Sequence, residues 1–404
     1  MDNIATQLTQ LQTIKQNIAT AIEGKGGTVG TGFASYATAI SNLPSGGGTA
    51  QIRMSENVGL KFGNSTFSSL PEWLILDDLP AGCFSNCSNL TSIAIPSSVT
   101  SVGNDTFNGC TSLATITGGS NVTSIGNNSF KSAAVSSIPF SGSLTSIGNN
   151  AFEGCYSLKN ITIPGSVTNI GNYAFAGCQN LTSLTFDNCQ TSIGGYAFQR
   201  CGNLTSVDFG NSVTSIGTYA FYNDTKLTSV TIPSSVTLIG TWAFYYCNSL
   251  TSITLPAVPN LFGNNLTSNY GQFRQVPVVT IDIPGAIGII PRDVFCMCKQ
   301  CTSLTIGEGI TQIGQGAFYN MEGLTELTIP STVTYISSDA FFACINLTKL
   351  IVLATTPPTL ANDVLQASLT YPIYVPTDSY NDYISSNWGT YYSSRIHPMS
   401  DLPS

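Results

Sequence analysis

The sequence predicts a solenoid of short parallel β-strands stacked in a curved rod with a 23-residue period, carrying a small N-terminal α-helical segment. Three observations predict it. Phenylalanine recurs at Phe84, Phe107, Phe130, Phe152, Phe175, Phe198, Phe221 and Phe244, then at Phe295, Phe318 and Phe341. Nearly every step is 23 residues, and the step from Phe130 to Phe152 is 22. Between the anchors, alternating apolar residues run into a proline, as in Val230-Thr231-Ile232-Pro233. The period falls in the leucine-rich-repeat window, so the fold class is a leucine-rich-repeat solenoid.

The unit that begins at Phe221 shows how each position is used. Val230 and Ile232 are two apart and share one face of a short strand, while Ser229 and Thr231 take the other. Pro233 has no N–H for the ladder and ends the strand. Leu227, Val236 and Ile239 add apolar bulk, Gly240 supplies a bend, and Phe244 fills the far side of the coil. One unit cannot bury its apolar face alone; stacked units share a core. The 51-residue gap from Phe244 to Phe295 holds one further unit. Ile281, Ile283, Pro284, Ile287 and Ile290 fall in phase there, with the anchor replaced at Gln272 or supplied by Phe273. The extra residues belong to an insertion near 258–272.

Residues 1–44 form a helical anchoring or oligomerisation segment. Ile4, Leu8, Leu11, Ile14, Ile18 and Ile22 recur at helical spacing and make one apolar stripe. A Gly-rich linker follows at 45–50, then an N-terminal cap at 51–80 where the consensus is lost. Repeats occupy 81–353. A C-terminal cap at 354–404 bears a last strand, Ile373-Tyr374-Val375, and a helix in the aromatic-rich stretch Tyr380–Tyr392.

Composition narrows the function. The 404 residues contain only 8% charged side chains and carry a formal net charge of −8. Thirteen Lys+Arg over that length make no basic patch, so nucleic acid is not an expected partner. The Ser, Thr, Asn and Gly surface suits hydrogen bonding to neutral ligands such as glycans. Met1-Asp2-Asn3-Ile4 lacks the basic start of a leader, and no segment approaches 18 apolar residues. The expectation is a chain folded in a cytoplasm, with no membrane insertion.

Of the twelve cysteines, Cys87, Cys110, Cys155, Cys178, Cys201, Cys247, Cys298 and Cys344 sit three residues after an anchor. Stacked one coil apart, they form a ladder of small buried groups about 4.8 Å apart rather than disulfides. Cys296, Cys298 and Cys301 resemble a metal cluster, but Cys298 is a ladder position and Cys301 fills the slot of Leu227, so no metal or cofactor is expected. His397, the only histidine, stands apart from any cysteine or acid cluster. No catalytic constellation is present.

Two candidate ligand-binding surfaces remain. Outward strand positions form columns: Ser183, Ser206, Ser229 and Ser252 in one, Thr162, Thr185, Thr231 and Thr254 in another. Two residues before the anchors runs an aromatic stripe of Tyr173, Tyr196, Tyr219 and Trp242, whose rings can stack on one another or on sugar faces.

The unit L-T-S-V-T-I-P-S-S-V-T-L-I-G-T-W-A-F-Y-Y-C closely resembles the BspA-like leucine-rich repeats, over roughly 81–353. The ending P-P-T-L … I-Y-V-P … Y … W is similar to the closing segment of that family. Its members are chiefly cell-surface adhesion and binding proteins, so the resemblance implies binding and carries over no site residue. The head, I-K-Q-N-I-A-T-A-I-E-G-K-G-G-T-V, resembles short N-terminal modules of tailed-phage structural proteins. Together these imply a non-enzymatic phage virion component, tail or fibre, that binds a host-surface glycan or protein through the solenoid. Residues 1–44 would attach it to other virion proteins or to further copies of itself. The alternatives are a bacterial cell-surface adhesin and a purely structural spacer.

Overall fold

The computed structural model describes the backbone at residues 28–29, 52–54, 60–61 and 74–76, and residues 78–403 apart from 141, 189, 265, 267–269 and 367–368. The expected N-terminal helix and the Gly-rich linker lie outside the described residues. Ahead of the repeats, Ile52–Met54 pairs in parallel with Leu74–Leu76, and Thr28–Val29 pairs antiparallel with Leu60–Lys61. The chain divides into two units, 1–180 and 181–404. Each is built from the same parallel β-solenoid coil.

Each coil contributes two kinds of strand. In the first unit, the short strands Asp78–Leu79, Ser101–Val102, Ser124–Ile125, Ser146–Ile147 and Asn169–Ile170 form one parallel ladder, in register at the repeat spacing. Ser92–Ile95 and Thr115–Gly118 pair on another side of the coil. In the second unit the longer strands dominate: Ser183–Phe186 pairs with Ser206–Asp208, and Ser229–Thr231, Ser252–Thr254, Thr280–Ile283 and Ser303–Ile306 follow in one parallel sheet. Val230 and Ile232 are buried while Ser229 and Thr231 are exposed, as the alternation requires.

The anchor phenylalanines fill the interior. Phe84, Phe107, Phe130, Phe152 and Phe175 stack in the first unit at centroid separations of 5.1, 5.2, 5.1 and 5.0 Å. Phe198, Phe221 and Phe244 stack in the second at 5.4 and 5.2 Å. Phe273 takes the missing anchor place, 5.1 Å from Phe244 and 5.5 Å from Phe295. The step into it is therefore 29 residues and the step out 22. Leu261 and Phe262 are fully buried, and the Ile239 amide donates to the Leu261 carbonyl at 2.8 Å. The first part of the expected insertion thus keeps the coil's path, and the additional length falls after Phe262.

Gly240 is glycine for a reason other than a bend. A Cβ there would lie 2.5 Å from the Thr218 backbone nitrogen and 2.7 Å from the Gly217 carbonyl carbon. Adjacent coils approach too closely to admit a side chain. The left-handed turn lies elsewhere, two residues before each anchor: Asp105, Asn128 and Asn150 sit at φ 56°, 54° and 56°.

The ladder cysteines do more than fill space. Six of the thiols donate to the carbonyl of the preceding coil's anchor, among them Cys110 to Phe84 at 3.0 Å, Cys155 to Phe130 at 3.0 Å, Cys247 to Phe221 at 3.1 Å and Cys344 to Phe318 at 3.4 Å. The eleven described cysteines are free and buried. Burial pushes the Cys178 and Cys344 thiols up to about 12. A thiol reagent at pH 8 should therefore leave the native ladder unmodified, and the same reagent should titrate all twelve cysteines of the chain in denaturant without reductant. A count well below twelve in denaturant would show that the ladder is cross-linked.

The C-terminal cap carries two short helices, Tyr380–Ser385 and Asn387–Tyr392. Six residues are too few to hold a helix unaided, so tertiary packing holds these. Tyr383 and Trp388 are fully buried. The Tyr383 hydroxyl donates to the Ala354 carbonyl at 2.7 Å, and the Trp388 indole to the Pro358 carbonyl at 2.8 Å.

Candidate ligand-binding face

The strand columns form in the expected register. Ser183 stands opposite Ser206, Ser229 opposite Ser252 and Thr231 opposite Thr254, whereas Thr185 meets Asp208. Ser206, Ser229, Thr231, Ser252 and Thr254 are exposed, and Ser183 and Thr185 are half-buried. Thr162 is exposed on a strand of the first unit, Asn160–Ile163.

The aromatic stripe has a feature that the sequence spacing hid. Tyr173, Tyr196, Tyr219 and Trp242 occupy the left-handed position, at φ 59°, 60°, 55° and 54°. Asn, Asp and Gly tolerate that region; a side chain with a large Cβ substituent pays about 1–2 kcal/mol to enter it. Other coils use tolerant residues at the same place, including Asp105, Asn128, Asn150, Gly271, Asp293, Gly316 and Asp339. Tyr196 and Tyr219 stack on each other at 4.7 Å and 16°, and Trp242 lies 4.9 Å from Tyr219 but tilted by 41°. Stacking of this kind returns about 0.5–1.5 kcal/mol per pair, which offsets the backbone cost only in part. It also turns the stacked faces of Tyr196 and Tyr219 toward each other.

Four aromatic residues that sequence reasoning missed extend the stripe into a patch. Tyr222 meets Tyr219 edge-on at 5.4 Å, and Tyr270 meets Trp242 edge-on at 5.0 Å. Tyr245 and Tyr246 lie 4.2 Å apart, and both reach Tyr222. All seven rings of the second unit's patch are half-exposed. Their signal lay in the positions one and two after the anchor, where Tyr222, Tyr245 and Tyr246 share adjacent columns. Burial, then the neighbouring phenols of Tyr196, Tyr222 and Tyr270, hold the Tyr219 hydroxyl above its ordinary range. Burial and the Tyr246 hydroxyl push Tyr245 up to about 12. These phenols remain protonated donors near neutral pH.

Beside the rings stands a charged group. Asp293 Oδ2 accepts from Arg274 Nη1 at 3.2 Å and from Arg292 Nε at 3.3 Å, and the Arg292 guanidinium lies 5.8 Å over the Tyr270 ring. Burial raises the Asp293 carboxyl against the pull of both arginines. Cys296, Cys298 and Cys301 do not converge on a centre: Cys298 donates to the Phe273 carbonyl and Cys301 to the Ser303 carbonyl, each at 3.3 Å. Among the described residues no helix is long and apolar enough to cross a membrane.

A family model described as BspA type Leucine rich repeat region (6 copies) matches residues 77–190, 168–276 and 267–356. Solved structures with the same fold include a leucine-rich repeat protein from Bacteroides ovatus. It is 24% identical, with 85% of this chain and 87% of that chain covered at a TM-score of 0.66. A leucine rich cell surface protein from Faecalibacterium prausnitzii is 23% identical over 86% of this chain and 89% of that chain, at a TM-score of 0.42. A search of the curated proteins finds no match. The matched segments reach from residue 77 to residue 356, well over half of the chain, and their copies coincide with the stacked coils; the chain belongs to the BspA-type leucine-rich-repeat family.

Proposed function

We propose that this chain is a non-enzymatic adhesion protein whose ligand-contact face is the aromatic patch around Trp242. The observation that carries the reading is the run of large rings at a left-handed backbone position. Residues that suit the position better occupy it in neighbouring coils, so the rings are held at a cost to the fold. Strain of this sort concentrates where a surface is used. Half-exposed Tyr and Trp with nearby Arg are also the residue types that anchor binding interfaces. The exposed Ser and Thr strand columns, Ser206, Ser229, Thr231, Ser252 and Thr254, offer a second, weaker contact surface.

In its finer form the proposal places the chain in a phage virion, in the tail or a fibre, with residues 1–44 attaching it to other virion proteins or to further copies of itself. The support is the resemblance of the head segment to phage modules. A bacterial cell-surface adhesin uses the same patch in the same way and fits the family equally, since BspA-type proteins are often found on cell surfaces. The test is the double substitution Tyr219→Asn and Trp242→Asn, which installs the residue found at Asn128 and Asn150. The variant should keep its thermal stability while adsorption to the host's cells falls at least tenfold. Unchanged adsorption by the folded variant would refute the reading. Deletion of residues 1–48 separates the two locations: loss of incorporation into particles supports the virion.

A further inference from the structure

Resting on that reading, we infer that the aromatic patch takes an acidic polysaccharide, with sugar carboxylates seated among Arg274, Arg292 and the tyrosine hydroxyls. The first support is where the arginines are. The chain has five: Arg53, Arg200, Arg274, Arg292 and Arg395. Arg395 is buried between the rings of Tyr371 and Tyr392, and Arg53 lies among residues whose side chains are not described. Of the remaining three, Arg274 and Arg292 border the patch. Both guanidinium groups meet at Asp293, and that of Arg292 stands over the Tyr270 ring. In a chain of net charge −8, two guanidinium groups thus stand side by side at the edge of this face.

The second support is that this positive charge is incompletely answered. Arg274 and Arg292 share a single carboxylate oxygen, Oδ2 of Asp293. Arg292 spends only its Nε on that contact and is 49% exposed, and its Nη groups make no hydrogen bond among the described residues. Asp339, on a later coil, accepts from Gln315 Nε2 at 3.4 Å and forms an ion pair with neither arginine. Among the described lysines, Lys131, Lys299 and Lys349 each pair with a glutamate, and Lys226 donates to the Asn203 side chain. A planar guanidinium fork matches a carboxylate in a two-point contact, which a lysine does not reproduce.

The third support is the repeat itself. Because Tyr196 and Tyr219 stack on each other, what they present outward is ring edges and hydroxyls, not open faces. The rings that carry these hydroxyls recur once per coil, with centroids 4.7 Å apart at Tyr196 and Tyr219 and 5.8 Å apart at Tyr222 and Tyr245. A ligand with its own short repeat of hydroxyl and carboxylate groups meets the same arrangement at each step. The tilt at Trp242 breaks the stack there, leaving the one indole beside Arg274 and Tyr270 to pack against the apolar side of a sugar ring.

The experiment measures binding of the purified full chain to oligomers of galacturonate, guluronate and sialic acid, each beside its carboxyl-reduced counterpart. At least one acidic oligomer should bind, its reduced form at least tenfold more weakly, and the acidic affinity should fall as salt rises. Arg274→Gln with Arg292→Gln should lose at least tenfold on the acid form and leave the reduced form unchanged. Equal binding of both forms, or binding of none at millimolar concentration, overturns the inference. If host-cell adsorption still depends on Trp242 in that case, the adhesion reading stands and a neutral or protein ligand replaces the acidic one.

Discussion

Replacing Phe244 with alanine is expected to remove about 3–5 kcal/mol of stability, the usual cost of deleting a large buried ring. Phe244 is fully buried and lies nearly parallel to Phe221 and Phe273, at 4° and 6° and 5.2 and 5.1 Å. Its loss leaves a gap bounded by both rings, and neither can move to fill it without leaving its own stack. In a repeat array each coil is stabilised chiefly by its neighbours. The damage should therefore spread as weakened amide-exchange protection in the coils of Phe221 and Phe273 before it reaches the C-terminal cap. Chemical denaturation gives the magnitude, and a loss below about 1 kcal/mol would mean that the column does not carry the core.

Much of this fold was legible because a period is a global signal. Eleven phenylalanines at a fixed spacing specify strand placement, register and interior in one step, and the register holds at pairs such as Ser229 with Ser252. Single positions inside the period were less legible. Gly240 looks like a bend in sequence because glycine is permissive, yet its role is to let two backbones approach. The left-handed position is invisible when Tyr or Trp occupies it, since those residues argue against positive φ. Phe273 could be read only as one of two choices, because a 29-residue step has no single alignment to a 23-residue template.

The candidate face was half legible for a related reason. Tyr196, Tyr219 and Trp242 share one column, and a column is what periodicity finds. Tyr222 and Tyr245 share a second column, one residue after the anchor, Tyr246 stands in a third, and all three join the patch through side-chain reach across a turn. Tyr270 enters through the irregular stretch, where phase is lost, and Arg292 stands three residues before the anchor Phe295. The spacing left open whether the stripe's rings stack on one another or on sugar faces; Tyr196 and Tyr219 stack on each other, so those two faces are used within the fold.

Asp224→Cys is expected to stabilise the protein, by an amount that grows with pH. Asp224 stands three residues after Phe221, in the cysteine ladder, and is fully buried. Its Oδ1 accepts the Cys201 amide at 2.7 Å, and its Oδ2 has no partner. Burial holds the carboxyl well above the usual carboxylate range, against the smaller pull of that amide. The native state therefore keeps a proton that the unfolded chain releases near pH 4. Stability that the protonated group allows is complete below that pH and is lost as pH rises toward the native value, at up to about 1.4 kcal/mol per unit. Cysteine has no such burden at neutral pH and can donate to the anchor carbonyl as Cys247 does. The Cys201 amide would not be orphaned, because the Phe198 carbonyl already lies 3.3 Å from it. Denaturation of both proteins under reducing conditions at pH 5 and pH 8 should show the variant ahead at both, with the wider gap at pH 8. A gap that does not change with pH, or a less stable variant, would show that Asp224 is not held protonated in the ladder.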